Sequence, residues 1–509
     1  MHYFRKTWID SCIRSRAAFA CVAILGVTAL SSCTVGPSFK RPDAELPTDW
    51  SPRQAGAAAG GVKSLPVAEP IEGQWWLLFN DPALDSLEAR VTTANFDVQL
   101  AVARLAQSRA QLAVALGSRA PNVSGSATYG RQRQSELGTN TRMIEILSPP
   151  VGREKLIAAL AEPFDVYQAG FDASWELDLW GRIRRSVESA NARLGASAAA
   201  AHDVQLSVTA ELARNYVQLR GIQRQLAIAQ QDVAIAEELL DLTRQRAAGG
   251  LVTDLDVVSQ EAHLATGRAR IPQLEQQQAQ TINAIALLLG EQPGALDAEL
   301  SPTKAVPPIP PRVPIGVPSE VARRRPDIRE AEARLHAATA DIGVAVADLY
   351  PRVTLSGTFV MQSLSAGDLS DWGARQWSVG PSLSLPIFDG GRRRATVILR
   401  RAQQQEAAVN YQRTVLHAWH EIDTALNAYV NEQRRNEDLA AAARSSQSAF
   451  ELASTRYQHG LTDFLIALDA QRTLLQVERD FADSTTAMST RVVTLYKALG
   501  GGLPIDGQD

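Results

Sequence analysis

Four segments of the chain alternate apolar and polar residues with the period of two that is typical of β-strands. They lie at about 123–129, 170–179, 353–361 and 377–387. Alternating segments of roughly ten residues are typical of transmembrane β-barrel strands, although a half-buried soluble sheet gives the same pattern. The sequence therefore predicts four strands, and the pattern fits both a membrane-spanning sheet and a half-buried soluble sheet.

The apolar positions of the second and fourth strands define one face of the predicted sheet. If the sheet lies in a membrane, we expect this face to meet lipid and the opposite face, which carries Ser382, to line an aqueous lumen. The predicted lipid-facing residues are Trp175, Leu177, Leu179, Leu383, Leu385 and Ile387. Four strands cannot close a conducting barrel, and an open sheet edge cannot face lipid. Several chains must then build one transmembrane β-barrel together.

Long helical segments follow the second and fourth strands. The segment 183–247 contains no proline, and Leu212, Leu219 and Leu226 recur along it at intervals of seven residues. Such a heptad repeat predicts an antiparallel coiled-coil seam with the following helix. At about 1.5 Å per residue, the long helix would extend over roughly 100 Å. Shorter helices are predicted at about 254–289 and 95–119.

This succession of elements occurs twice along the chain. Gly181-Arg182, after the second strand, recurs 210 residues later as Gly391-Arg392 after the fourth. Each repeat reads helix, strand, strand, long helix, helix, so we expect an internally duplicated protein of mixed α/β class. The predicted boundaries are 75–290 for the first repeat, 291–318 for a proline-rich linker, 319–501 for the second repeat and 502–509 for a C-terminal tail.

The N-terminus has the features of a bacterial lipoprotein signal. Basic residues precede an apolar core at 17–30, which is too short to span a bilayer. The core ends in Leu30-Ser31-Ser32-Cys33, which resembles a lipoprotein cleavage box. We predict that 1–32 is removed, that Cys33 carries covalent lipid, and that 33–74 forms a lipid-anchored tether. An ordinary signal peptide with a chance cysteine is the alternative.

Composition narrows the classes of function. The net charge of −4 becomes −7 once the four basic and one acidic residues of the signal are removed, and nothing suggests a nucleic-acid partner. His417 and His420 have a spacing that metals can use, but no third ligand accompanies them. His420-Glu421 is followed by Thr424 rather than the histidine of a zinc-protease helix. We therefore expect no enzyme, no metal and no cofactor other than the lipid on Cys33.

Five motifs, in order along the chain, carry a family resemblance. They are Trp75-Trp76 with Phe79-Asn80-Asp81-Pro82, Ser174-Trp-Glu-Leu-Asp-Leu-Trp-Gly-Arg182, Arg324-Arg-Pro-Asp-Ile328, Leu385-Pro-Ile-Phe-Asp-Gly-Gly391, and Gly460-Leu461 with Leu468-Asp-Ala-Gln-Arg472. They resemble the TolC-like outer-membrane efflux proteins, most closely the lipoprotein branch of the OprM/NodT type. The resemblance implies a homotrimer whose coiled-coil helices form a periplasmic α-barrel continuous with a twelve-stranded β-barrel in outer-membrane lipid.

The resemblance also implies a function as the exit duct of a tripartite efflux system. The duct would passively conduct drugs or other small molecules from an inner-membrane pump, of the RND type, and a periplasmic adaptor protein to the exterior. The alternative is a lipid-anchored periplasmic coiled-coil scaffold without channel activity. The four alternating strands favour the channel, because a scaffold does not require them.

The resemblance further implies a gate at the periplasmic tip. The matching positions are Asp469 and Arg472 at the constriction, Leu465 one turn earlier, and Tyr457 and Asp256, which match residues that tether neighbouring helices closed. Ile466 stands where TolC has a second aspartate, so a single acidic ring is expected. The alternatives are a solvated charge at Asp469 and simple packing of Tyr457 beside a turn.

Overall fold

The computed structural model describes residues 34–42, 65–67, 69, 71, 73–139, 142, 146, 151–317, 321 and 323–501. Cys33, the predicted signal and the predicted C-terminal tail lie outside these residues. The chain divides into two compact units. The sheet unit comprises the described residues within Met1–Lys40, Arg109–Ala192 and His336–Glu406, and the helical unit comprises those within Arg41–Ser108, Arg193–Leu335 and Ala407–Asp509.

Helices account for most of the described residues, and the strands are short by comparison. The helices are α1 (Pro82–Ala94), α2 (Phe96–Gly117), α3 (Arg153–Leu160), α4 (Arg182–Ala248), α5 (Asp254–Leu288), α6 (Asp297–Leu300), α7 (Pro326–Ala347), α8 (Arg392–Gln458) and α9 (Phe464–Ala498). The strands are β1 (Leu65–Val67), β2 (Asn122–Gln132), β3 (Phe164–Leu177), β4 (Arg312–Pro314), β5 (Arg352–Ser363) and β6 (Arg375–Ser384). Short 3-10 helices lie at Trp75–Phe79, Ala366–Ser370 and Trp372–Ala374.

The main sheet is antiparallel, with the strand order β2-β3-β5-β6. Directly paired residues on neighbouring antiparallel strands share a face. Phe171 pairs with Phe359, which pairs with Trp377, whereas Thr354 pairs with Ser382. The register therefore brings the apolar positions of the strands onto one face and hydroxyl-bearing positions onto the other, as the alternation predicts. Because β2 and β6 are the edges, Pro381 of β6 lies in an edge strand, where proline is tolerated.

Two strands end earlier than the alternation predicts. β3 ends at Leu177 and β6 at Ser384. Leu179, Leu385 and Ile387, which were expected to face lipid from within a strand, therefore lie beyond the strand ends. This is a correction to the predicted barrel face.

Local hydrogen bonding explains both strand ends. The carboxylate of Asp178 accepts hydrogen bonds of 2.9 Å from the backbone N–H groups of Ile183 and Arg184, which turns the chain directly into α4. After β6, Pro386 has no backbone N–H with which to continue the ladder.

The long helices confirm the duplication. α4 and α8 contain 67 residues each, and α5 and α9 contain 35 each. Leu212 and Leu219, from the predicted heptad seam, are fully buried, as is Tyr429 at a related position of α8. No helix within the described residues has both the length and the apolar character needed to cross a membrane. The exact repeat boundaries remain a prediction.

The predicted tether and linker are more structured than their composition suggests. β1, within the tether, pairs in parallel with β4, within the linker. Nearby, the ring of Trp75 stacks on that of Tyr496 at a centroid distance of 5.6 Å, and both residues are buried. The two proline-rich segments thus share backbone hydrogen bonds, which a loop prediction based on composition does not anticipate.

Candidate gate and membrane-facing sheet

The apolar face of the sheet is exposed in the single chain. Its exposed large side chains include Val123, Tyr129, Phe171, Trp175, Leu355, Phe359, Trp377, Val379 and Leu383. Contiguous exposed apolar surface of this kind marks a membrane or protein interface. Of the predicted lipid-facing residues, Trp175, Leu177 and Leu383 lie in strands, and Ile387, beyond β6, is 93% exposed. That this face meets lipid remains a prediction.

The other face of the sheet is hydrophilic and internally hydrogen-bonded. The hydroxyl oxygens of Thr358 and Ser378 lie 2.8 Å apart across β5 and β6. Diagonally across the same two strands, the side-chain amide of Gln376 donates to that of Gln362 at 3.0 Å. A face of hydroxyl and amide groups suits contact with water rather than with acyl chains.

Charged side chains hold the junction between β3 and α4. The guanidinium of Arg182 donates two hydrogen bonds of 2.8 Å to the carboxylate of Glu176. In the second repeat, Arg393 donates to the backbone oxygen of Asp348 and forms an ion pair with Asp389 at 3.4 Å. The glycine-arginine motifs therefore lie at strand-to-helix junctions.

The residues that directly follow Cys33 are bound to this junction. The N–H of Val35 donates to the backbone oxygen of Trp180 at 3.1 Å. Gly36 has a φ of +87°, and a Cβ placed on it would lie only 2.6 Å from the Cα of Gly343. The segment 34–40, here called the strap, thus fits closely against α7 at a crossing of two glycines.

The strap is also held by side chains that the sequence did not single out. The ring of Phe39 stacks on that of His336 at 4.4 Å, and Nε2 of His336 lies 3.0 Å from a carboxylate oxygen of Glu188. Arg185 donates to Glu188 at 2.7 Å and to Ser38 at 3.1 Å. Burial opposes ionisation of Glu188, but hydrogen bonds from His336 and Arg185 outweigh it and lower the pKa of this carboxyl.

At the other candidate site, the predicted gate residues of α9 form one exposed stripe. Leu465, Asp469 and Arg472 are all exposed and follow each other at intervals of four and three residues, which places them on one helix face. The opposite face is buried and includes Leu468 and Gln471. Within the described residues, neither Asp469 nor Arg472 forms an ion pair, so Arg472 does not neutralise Asp469 within one chain.

The predicted link between Asp256 and Tyr457 is not formed within the chain. Oδ2 of Asp256 instead accepts hydrogen bonds from the backbone N–H and the hydroxyl of Thr253, at 3.0 and 2.9 Å, in the capping box of α5. The Tyr457 side chain is 1% exposed, and its hydroxyl lies 3.3 Å from that of Thr243. Both side chains are used locally within one chain, and their role in tethering neighbouring helices stays a prediction.

Arg246 connects the helices at this turn instead. Its guanidinium donates to the backbone oxygens of Tyr457 and Gln458 at 2.7 and 2.8 Å and lies 4.5 Å above the Tyr457 ring. The sequence feature that points to Arg246 is its position as a basic residue in the last turn of α4, because cations stabilise helix C-termini. Its contact with α8 depends on tertiary packing.

Two pairs of long helices, a four-stranded antiparallel sheet and an exposed apolar sheet face define a TolC-like outer-membrane channel fold. The sequence profile of the outer membrane efflux protein family matches residues 89–291 and 317–501. The chain belongs to this family.

Individual relatives are similar to this chain over nearly its whole length. Outer membrane protein OprJ of Pseudomonas aeruginosa is 33% identical over 488 residues, with 96% of each chain covered. Nodulation protein T of Rhizobium leguminosarum bv. trifolii is 31% identical, with 93% of this chain and 95% of the relative covered. The structure of the outer-membrane channel OprN matches with a TM-score of 0.82 and 36% identity, covering 92% and 99% of the two chains. The predicted family, fold, outer-membrane location and efflux-channel function are confirmed.

Proposed function

We propose that three copies of this chain close one twelve-stranded barrel and so form the passive exit duct of a tripartite efflux system. The observation that carries the proposal is the open sheet, whose edge strands β2 and β6 lie beside an exposed apolar face. In lipid, unpaired backbone groups at such edges would each cost several kcal/mol. Pairing of β6 from one copy with β2 of the next removes every edge.

The duct would act without catalysis and would receive small molecules from an inner-membrane pump of the RND type through a periplasmic adaptor. Family membership supports this arrangement. We propose no cofactor other than covalent lipid on Cys33. The binding of the strap beside Trp180, where β3 has just ended, supports an anchor at this position, since the lipid would lie next to the proposed barrel.

The gate is proposed at the exposed stripe of α9. Threefold symmetry would convert Asp469 into a ring of three carboxylates, with Leu465 as an apolar constriction one turn away. Because Asp469 has no partner within the described part of one chain, the ring would need a cation or the Arg472 of another copy to offset its repulsion. Arg246, Tyr457 and the cap formed by Asp256 would hold the adjoining helices in place.

Crosslinking between edge strands tests the barrel. Cys33→Ala trimers would carry Ser126→Cys in β2, combined in turn with Ser378→Cys, Gly380→Cys or Ser382→Cys in β6. A short thiol crosslinker should give covalent trimers with at least one pair, whereas Ser126→Cys with Thr358→Cys, in the inner strand β5, should give none. The proposal is overturned if every cysteine pair between β2 and β6 gives only monomers and the sample also migrates as a monomer before heating.

Two further measurements test the anchor and the duct. Intact-mass analysis of the purified protein should find lipid on Cys33 as the first residue, and an unmodified Cys33 would refute the anchor. Purified trimers should conduct in a planar bilayer, and crosslinking in cells should capture an adaptor and a pump. Absence of conductance from well-folded trimers would refute passive conduction.

A further inference from the structure

A buried polar cluster joins three helices of the helical unit just behind the exposed gate stripe. Asp232 of α4 is buried, and its Oδ1 accepts a hydrogen bond of 3.1 Å from the side-chain amide of Gln471 in α9. Nε2 of His263, in α5, lies 3.5 Å from the same Asp232 oxygen. Gln471 is itself buried, one residue from Arg472 and two from Asp469.

This cluster is incompletely hydrogen-bonded. Oδ2 of Asp232, Nε2 of His263 and Oε1 of Gln471 are buried and have no hydrogen-bond partner within the described residues. Such orphaned groups are uncommon, and a buried carboxylate oxygen without a donor is costly. Gly267 permits the close packing, because a Cβ placed on it would lie 3.4 Å from Oδ2 of Asp232.

The surroundings favour a proton rather than a metal ion as the missing partner. Asp232 and His263 line a cavity of about 460 Å³ together with Arg270, Arg472 and Arg479. Three guanidinium groups oppose the entry of a divalent cation. Asp232 is the acidic group in contact with the His263 imidazole.

Other titratable groups around Asp232 respond to the same environment. Burial and the neighbouring Arg270 lower the pKa of the Arg479 guanidinium, while Asp232 opposes this change. Burial raises the pKa of Glu478, with Asp232 adding to the increase and Arg224 opposing it. Both residues lie in α9, so the charge of Asp232 in α4 acts on this neighbouring helix.

We propose that Asp232, His263 and Gln471 form a proton-dependent latch that holds the gate turn of α9 against α4 and α5. When His263 takes up a proton from solvent, its Nε2–H makes a charge-assisted hydrogen bond to Oδ1 of Asp232, the oxygen that also accepts from Gln471. Asp232 then bridges all three helices, and the latch is tighter at acid pH. The consequence for conduction rests on the gate proposed above, whereas the latch itself does not.

Hydrogen exchange of purified trimers tests the latch directly. Exchange of peptides covering 464–475 is compared at about pH 5.5 and about pH 7.5, on either side of the usual histidine range, after correction for intrinsic rates. We expect exchange to be about tenfold slower at the acid pH, since hydrogen bonds between charged groups are the stronger ones. His263→Gln, which keeps a polar side chain but cannot charge, should abolish the difference.

Two controls make the result specific. His420→Gln, at an exposed histidine of α8, should keep the full pH difference. Asp232→Asn should lose it, and circular dichroism establishes that this variant is folded. Equal exchange at both pH values in the wild type, or an unchanged difference in His263→Gln, would overturn the latch.

Single-channel conductance of the same samples separates the latch from the gate. Lower conductance at acid pH in the wild type but not in His263→Gln supports both. If hydrogen exchange differs between the two pH values but conductance does not, the latch is supported and the proposed position of the gate is refuted. If Asp469→Ala changes conductance while exchange shows no pH step, the gate stands and the latch is refuted.

Discussion

The hydroxyl of Tyr216 donates a hydrogen bond of 2.6 Å to the carboxylate of Asp81. The other oxygen of this carboxylate accepts from the backbone N–H of Ala83 at 2.9 Å and caps α1. Asn80, just before it, has a left-handed φ of 49°, and Pro82 occupies the first position of α1. The Asn-Asp-Pro motif thus has a structural role, since it starts α1 and joins this helix to α4.

Replacement of Tyr216 by Phe should destabilise the helical unit without changing its fold. Burial and the bond to Asp81 raise the pKa of Tyr216 to about 12, so the hydroxyl is a permanent donor at working pH. Loss of a hydrogen bond to a charged group should lower the free energy of unfolding by about 1.5–3 kcal/mol, measurable by urea titration. Tyr411→Phe is the control, because Tyr411 is also buried but makes no hydrogen bond within the described residues. Equal losses of unfolding free energy in Tyr216→Phe and Tyr411→Phe would contradict the stabilising role of the hydrogen bond to Asp81.

Periodicity explains how much of the fold the sequence could predict. The bounds of α4 and α5 agree with the predicted segments 183–247 and 254–289 to within one residue. The heptad repeat within the first segment identifies it as a long helix, because a coiled-coil seam must repeat without interruption. Strand ends were less predictable, since they depend on the capping by Asp178 and on Pro386 rather than on alternation.

The candidate sites were less predictable than the fold. Motif matching located Asp469 and Tyr457, but it could not show that Arg246, rather than Asp256, contacts the Tyr457 turn. The pairing of His263 with Asp232 joins residues of different helices and left no motif in the sequence.

Arginine substitutions should distinguish the two faces of β6. Val379 pairs with Gly357 on the apolar face, whereas Ser382 pairs with Thr354 on the polar face. Val379→Arg should cost about 2–4 kcal/mol in each chain if this mid-strand position lies near the bilayer midplane. The yield of heat-modifiable trimers should fall for Val379→Arg and stay near the wild-type level for Ser382→Arg. Comparable losses would mean that the faces are assigned wrongly.

Leu177 is less suited to this test than its apolar character suggests. It is the last residue of β3 and therefore lies at the end of the strand. Arginine there should cost only about 0–1 kcal/mol, as expected near an interface. A large loss of trimers from Leu177→Arg would place this strand end deeper in the membrane.

Removal of the Asp469 carboxylate should weaken block by multivalent cations. Three such groups around one axis would attract cations strongly, and the exposed Asp469 side chain has no competing partner in the described chain. Asp469→Ala should therefore raise the blocking concentration about tenfold or more in single-channel recordings at matched salt. Asp463→Ala, at the cap of α9 near the same turn, is the control. Unchanged block in Asp469→Ala would show that this residue is an ordinary surface charge.

Glu88 should make stability fall as pH rises. The side chain is fully buried, both carboxyl oxygens lack hydrogen-bond partners in the described residues, and burial, with Asp85 second, raises its pKa well above 4.5. The folded state holds this proton more tightly than the unfolded state. The contribution of Glu88 to the free energy of unfolding is therefore complete below its unfolded-state pKa and is lost as pH rises through its folded-state pKa.

Glu88→Gln should remove this dependence. Relative to the wild type, the variant should gain about 1.4 kcal/mol at alkaline pH for each unit by which the folded-state pKa is raised. Thermal unfolding of trimers between about pH 5 and about pH 9 measures the effect, with the exposed Glu238→Gln as the control. Parallel pH profiles for wild type and Glu88→Gln would contradict the prediction.

Replacement of Gly36 by alanine should release the strap from α7. The residue needs a positive φ, and its new Cβ would meet the backbone of Gly343 at 2.6 Å, so neither strain nor clash can be relieved by a side-chain movement. Limited proteolysis should then cut the chain near the strap many times faster than in the wild type. Gly117→Ala is the matched control, since a Cβ there has no neighbour within 4 Å. The strap lies between Cys33 and the contact with Trp180, and lipid should remain on Cys33 in both variants. Equal protease resistance of Gly36→Ala and the wild type would show that the crossing of Gly36 and Gly343 does not fix the strap.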